Sequence, residues 1–278
     1  MNSSFILSLT TYGWLICSIL YMGLLVFRRI FFGKLAVIGS IIVLIAQLAG
    51  MMLRWKESYD LGIGHIPLSN LYESLVFGSW SIMFVYLLFL RKWRIIEIGI
   101  IPSLLAFLAM AYASFSPNVE SRIQPLIPAL KSNWLTAHVI TCFLGYAAFA
   151  VSFGASMAYI VKTKYEDRGL FKFIPDAKNL DKFNHQVIIF GFLWLTIGIL
   201  TGAVWANSAW GSYWSWDPKE TWSLITWLVY AAILHARSLQ NWSSRRIAIL
   251  SVVGFGCVLF TYFGVNFWLS GLHSYGSR

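Results

Sequence analysis

Residues 5–27 read Phe5-Ile-Leu-Ser-Leu-Thr-Thr-Tyr-Gly-Trp14-Leu-Ile-Cys17-Ser-Ile-Leu-Tyr-Met-Gly-Leu-Leu-Val-Phe27, a stretch without a single charge that is closed by Arg28 and Arg29. Wound as a helix at about 1.5 Å per residue, a run of this length crosses the roughly 30 Å of hydrocarbon in a bilayer. Backbone groups in lipid must bond among themselves, and the run has none of the alternation of a barrel strand, so it is expected to be a transmembrane helix. No basic segment precedes it and no small-residue cleavage site follows, so it is expected to stay as a span and not to be removed as a signal peptide.

Runs of the same kind recur along the chain. Charged interruptions divide the sequence into eight expected spans, at 5–27, 35–53, 71–90, 95–115, 134–161, 184–206, 219–237 and 247–270. The fold class is therefore all-α, a polytopic integral membrane protein of about eight transmembrane helices, with residues 1–278 as a single membrane domain. Composition agrees: 58% of residues are hydrophobic and 12% charged, against about 25% charged in soluble domains. A soluble enzyme is excluded.

The net charge of +10 does not imply a nucleic-acid partner, because basic residues collect in the loops on one side of a membrane. Here 15 of the 21 Lys and Arg fall in loops 28–34, 91–94, 162–183 and 237–246. Those loops are expected to face the cytoplasm or stroma. Both termini and loops 54–70, 116–133 and 207–218 then face outward, to periplasm or lumen. Cys17, Cys142 and Cys257 lie inside apolar runs and form no C-x-x-C pair, which argues against thiol exchange and against haem attached covalently to this chain.

The densest feature is Trp205-Ala-Asn-Ser-Ala-Trp210-Gly211-Ser-Tyr-Trp214-Ser-Trp216-Asp217-Pro218-Lys-Glu220-Thr-Trp222, with five tryptophans in eighteen residues. Interface belts account for scattered residues such as Trp55, Trp80, Trp93 and Trp134. They do not account for a cluster interleaved with Gly211, Ser212 and Ser215, small residues that let flat rings lie against a flat ligand. Residues 205–222 are thus read as an outer loop that binds a large aromatic molecule. Asp217 can cap a helix with Pro218 at its first position and Glu220 three residues on, which leaves Asp217 open to a structural or a ligand-facing role.

This stretch resembles the tryptophan-rich WWD signature of the haem-handling CcmF/CcmC/CcsA superfamily of cytochrome c maturation. Gly64-His65-x-Pro67-Leu68-Ser69-Asn70-Leu71-Tyr72-Glu73-Ser74 and Gly271-Leu272-His273-Ser274-Tyr275-Gly276 are similar to the CcsA (ResC-type) members of the two-subunit system. Length and span number also favour CcsA over CcmC or CcmF. The resemblance implies a chain that binds haem b as substrate and delivers it for attachment to the C-x-x-C-H motif of apocytochrome c. It also implies a membrane partner of the CcsB/ResB type, since this chain has no large outer domain to hold the client. Whether the lyase activity resides here or in the complex stays open.

Histidine is the usual axial donor to haem iron. His138 lies near the outer end of the fifth span and His273 in the tail after the eighth. In the resembling family an external pair flanks the WWD stretch, which implies His138 and His273 as axial ligands of one haem, packed against Trp205, Trp210, Trp214, Trp216, Asp217 and Trp222. His235 lies inside the seventh span, where ionisable residues are costly, and matches the membrane-embedded histidine held to bind haem in transit. His65, in a motif that matches the family, is left open between a structural or partner contact and a haem-related role, and His185 is read as structural. Lys219, Arg122 and Lys131 are outer-side candidates for pairing with haem propionates, and Arg237 an inner-side one.

Two other readings weigh against this one. A b-type electron-transfer cytochrome would place both ligands within the membrane and needs no tryptophan cluster. A small-molecule transporter would show internal repeats and broken helices, yet Pro102 is the one proline well inside a span. A haem exporter without synthase activity is the nearer alternative. The expected location is a bacterial plasma membrane, with a thylakoid membrane as the other possibility and lipid as the surrounding partner.

Overall fold

The computed structural model describes residues 2–165, 173–239, 242–269 and 271. All its regular elements are helical: α1 Ser3–Phe27, α2 Ile30–Asp60, α3 Leu71–Trp93, α4 Ile100–Phe115, α5 Asn133–Lys164, α6 Ala177–Trp210, α7 Pro218–Ser238 and α8 Ser244–Leu259. A 3-10 turn at Glu97–Gly99 leads into α4, and α8 continues through a π-helical turn at Phe260–Gly264 into Val265–Trp268. Among the described residues, seven helical stretches are long and apolar enough to cross a membrane. The chain is an integral membrane protein. The seventh expected span, 219–237, is helical as α7 but falls short of that apolarity, because Lys219, Glu220, His235 and Arg237 crowd its two ends.

Several helices outrun their apolar cores. The stretch 35–53 is the middle of α2, which starts at Ile30 and runs on to Asp60, and 184–206 is the middle of the longer α6. A charged residue ends a hydrophobic run without ending a helix, since its side chain can reach polar surroundings while the backbone ladder continues.

The described residues divide into two compact units. In the first, α1 to α4 form a ring, each helix packing on its neighbours in chain order and α4 closing on α1. Its apolar interior contains a satisfied polar hub. Trp14 Nε1 donates to Gln47 Oε1 at 2.7 Å, and Gln47 Nε2 donates to the Val76 carbonyl at 2.9 Å and to Ser79 Oγ at 2.6 Å. Near the start of α3, Arg54 Nε donates to Glu73 Oε1 at 2.8 Å with both side chains at 2% exposure or less. Glu73 Oε2 also takes the Ser69 N–H and hydroxyl, while Asn70 caps α3 by accepting from Glu73 N. The Leu68–Glu73 motif is thus a helix start locked onto α2.

The second unit repeats the ring with α5 to α8. Here α5 and α6 approach closely because glycines on α6 leave room. A β-carbon on Gly191 would fall 2.7 Å from the Phe149 ring, one on Gly198 2.6 Å from Cys142 Sγ, and one on Gly202 2.5 Å from His138 Nδ1. Close backbone approach through small residues is the usual basis of helix pairing in membranes. Inside the ring, Ser152 donates to Asn184 Oδ1 at 2.6 Å and lies 2.7 Å from Ser251 Oγ, joining α5, α6 and α8. Phe149 stacks on Tyr230 with ring centroids 3.5 Å apart. Arg237 on α7 grips Asp181 on α6 with two parallel bonds of 2.6 and 2.7 Å.

Candidate functional site

The tryptophan stretch is not one loop. Trp205 and Trp210 belong to the last turns of α6, residues 211–217 make the connection, and Trp222 lies in the second turn of α7. Helix therefore fixes three of the five rings. Gly211, at φ +79°, turns the chain off α6 in the left-handed region that favours glycine.

The connection is organised by one carboxylate. Glu220 Oε2 accepts from Ser215 N at 2.7 Å, Ser215 Oγ at 3.2 Å and Asp217 N at 3.2 Å, and Asp217 Oδ1 accepts from Lys219 N at 2.9 Å. Together these make a capping box. Between the two bonded amides lies Trp216, whose φ of +59° is strained for a bulky residue and whose side chain is 68% exposed. Its carbonyl accepts from Thr221 Oγ1. The local bonds therefore hold an exposed indole in a conformation it would not choose, and Trp214 meets it edge-on at 5.7 Å. Strain of this kind is stored where surrounding structure over-determines it.

His138 sits one and a half turns into α5, half-buried against α6. Its Nδ1 lies 2.7 Å from the Gly198 carbonyl. A carbonyl can only accept, so in the neutral ring Nδ1 carries the proton and Nε2 carries the lone pair, the arrangement in which a metal-binding histidine is usually held. The ring lies 16° from parallel to Trp205 at 6.0 Å, and Trp205 meets Trp210 at 4.8 Å. Trp205 is in turn fixed by donating from Nε1 to the Ala129 carbonyl at 2.9 Å. This gives an oriented imidazole beside the Trp205 indole, with Trp210 edge-on to that indole. Among the described residues no three His, Cys, Asp or Glu gather to chelate a metal ion by themselves.

Trp222 forms a third aromatic group with Phe260, 4.1 Å away, at the π-helical turn of the α8 segment. Thr261 donates to the Trp222 carbonyl at 3.2 Å. Turns of this type are frequent at functional sites. Asp217 is 6% exposed, and Gly271 approaches its carboxylate so closely that a β-carbon there would have no room. His273, two residues beyond Gly271, lies outside the described residues.

The structure separates His235 from this cluster. From Trp222 to His235 along α7 is about 20 Å at 1.5 Å per residue, and His235 is exposed at the other end of the helix, beside Leu239. Arg237 is committed to Asp181, and Lys219 Nζ donates to Asn266 Oδ1 at 2.9 Å. His65 is 7% exposed and has backbone carbonyls at both ring nitrogens, Ile66 at 2.9 Å and Gln124 at 3.1 Å. It ties its own loop to a neighbouring one and offers no nitrogen to iron in this conformation.

Against this geometry, the model of the family described as Cytochrome C assembly protein matches residues 68–273. The chain belongs to this family, in its CcsA branch. A CcsA protein of Porphyra purpurea is 38% identical, with 95% of this chain and 94% of that protein covered. One from Synechococcus elongatus is 41% identical, with 86% of each covered. The CcsA of Chlamydomonas reinhardtii is 45% identical over 81% of this chain, which spans just under two thirds of it, 64%. Among solved structures, Cytochrome c Heme Lyase CcmF matches 95% of this chain with a TM-score of 0.73, at 17% identity and over 47% of its own length. That likeness concerns the fold alone. The family match takes in the Leu68–Glu73 helix start, His138 and the whole tryptophan stretch of this CcsA-branch chain.

Reading the sequence by residue type finds the indoles and the histidines but misses what holds them. Gly198-Ile-Leu-Thr-Gly202 is a G-x-x-x-G pattern inside an apolar span, a legible signal for close helix packing, and it forms the bed on which His138 rests. Glu220 was legible as part of a cap, though not as the carboxylate that holds Trp216.

Proposed function

We propose that this chain binds haem at the tryptophan end of its second unit and presents it for covalent attachment to apocytochrome c. The observation that carries the reading is the oriented His138 ring, with Nδ1 committed to Gly198 and its face against Trp205. In this reading the iron of haem b takes Nε2 of His138 on one side and His273 on the other. Gly271, two residues before His273 in sequence, lies against the Asp217 carboxylate, which supports the pairing. Trp210, Trp214, Trp216 and Trp222 flank the porphyrin. His235, exposed on α7, serves a separate haem contact within the membrane.

Haem is the cargo here, and its vinyl groups supply the reactivity. The chain binds, orients and excludes water, so that vinyl and client thiol meet in register, and holding two reactants in place is itself a large part of a barrier. The exposed indole of Trp216, with the half-buried Trp214 edge-on beside it, is the surface on which haem and client meet. Among the described residues the connections between helices form no separate domain for an apocytochrome, which supports a CcsB/ResB-type membrane subunit as partner. The tryptophan end is read as facing periplasm or lumen. Algal and cyanobacterial relatives give weight to a thylakoid as well as to a bacterial plasma membrane. A haem exporter without synthase activity is the alternative reading.

The test is attachment itself. Membranes containing this chain and a CcsB/ResB-type partner, supplied with an apocytochrome bearing C-x-x-C-H, are expected to yield cytochrome carrying haem that survives denaturing gel separation. Membranes with either subunit alone should not. Haem co-purifying with the pair, without any covalent product, would favour the exporter.

A further inference from the structure

Three basic residues compete for a propionate at the tryptophan end on sequence grounds, and the structure separates them. Lys219 donates to Asn266. Arg122 belongs to the first unit, largely exposed and 3.9 Å from Glu120. Lys131 lines an open depression with Pro128, Ala129, Ser132, Ser208 and Ala209, and its ammonium enters no ion pair among the described residues.

The lining connects to the His138 site through two elements. Ala129 accepts the Trp205 indole N–H, and Ser208 and Ala209 lie on α6 between Trp205 and Trp210. Ser132, at the start of α5, is six residues before His138. That is about 9 Å along the helix, the scale of half a porphyrin together with a propionate arm. Ser132 Oγ accepts from Trp134 N at 3.2 Å, which leaves its hydroxyl proton available to donate. A cation and a hydroxyl in a recess about 9 Å along the helix from an iron ligand suit a carboxylate.

We propose that Lys131, with Ser132, binds a propionate of the haem that His138 ligates and thereby sets which edge of the porphyrin points away from the recess. The inference rests on the haem reading above. A propionate fixed at Lys131 directs the opposite, vinyl-bearing edge away, so Lys131 is a positioning residue and not a catalytic one.

The test is titration of the purified full-length protein with its partner, using haem and, separately, haem dimethyl ester, in which both propionates are blocked. The Lys131→Met variant is expected to bind haem about tenfold more weakly, the size of one charge-assisted hydrogen bond near a surface, and to bind the diester as the parent does. Lys131→Arg should restore haem binding. Equal binding of haem by Lys131→Met and parent overturns the proposal, and so does an equal loss for both probes, which would mark a structural role. A His138→Ala variant is run alongside. If it binds both probes as the parent does, the haem reading itself fails, independently of Lys131.

Discussion

Gly202→Ala places a methyl group where the His138 ring now lies. The added β-carbon would sit 2.5 Å from Nδ1 and 2.6 Å from Cε1, against a comfortable separation of about 3.5–4.0 Å. The ring must therefore move by about 1 Å, or the two helices must part. Overpacking of this kind costs about 1–3 kcal/mol. A ring that moves also lengthens its 2.7 Å bond to the Gly198 carbonyl, worth about 1 kcal/mol. Losing the partner that orients a metal-bound histidine typically weakens the metal by about 10–100-fold, and that is the expected loss in haem affinity. The assay is visible absorption of the purified protein during haem titration, with size-exclusion profile and thermal melting as checks on folding. Imidazole added in solution should restore the spectrum. Gly256→Ala, where a β-carbon meets nothing within 4 Å, is the matched control and should leave haem binding as it is. If Gly202→Ala folds and binds haem like the parent, the α6 glycine bed does not position the ligand and the argument from ring geometry is wrong.

Other outcomes follow from the same packing. Removing Arg54 as Arg54→Met strands a buried Glu73 carboxylate, an effect of about 3–5 kcal/mol. Melting in detergent should drop steeply, and Arg54→Met combined with Glu73→Leu should recover much of the loss. Glu220→Ala deletes the acceptor of three donors and frees Trp216 from its strained backbone. It should lower covalent attachment to the client far more than thermal stability, whereas Asp217→Asn, which keeps a capping oxygen, should stay near parent in both. Single cysteines at Ser212 and at Ser238, in a background without Cys17, Cys142 and Cys257, should divide in labelling by a membrane-impermeant maleimide applied from the periplasmic or lumenal side. Ser212→Cys is expected to react and Ser238→Cys to be protected. The reverse pattern would invert the orientation.

Apolar runs bounded by charge located each of the eight long helices among the described residues, because the cost of an unsatisfied backbone in lipid leaves a chain such as Phe5–Phe27 one solution. The ends were less legible. Nothing in local hydropathy says that α6 continues past Trp205 to Trp210, since Asn207 and Ser208 read as loop residues while the backbone ladder runs on beneath them. Side-chain partners were less legible still. The Arg54–Glu73 pair joins residues nineteen apart, and the Trp205 bond to Ala129 spans seventy-six. Such pairings depend on which helices lie side by side, which composition does not encode. The tryptophan cluster itself stood out because no ordinary interface needs five indoles in eighteen residues. That His235 lies far from the tryptophan stretch was legible from its place in the seventh span, whereas the stacking of His138 on Trp205 emerged only from the folded chain.

Ligation of haem by His138 and His273 is tested by the visible spectrum of the full-length protein purified with its partner, as parent, His138→Ala and His273→Ala. The parent is expected to show a haem spectrum with two nitrogen axial ligands, and each variant to lose haem and recover it on adding imidazole. A parent without haem, or variants whose spectra match the parent, would contradict it and leave the tryptophan end as a surface for a protein partner.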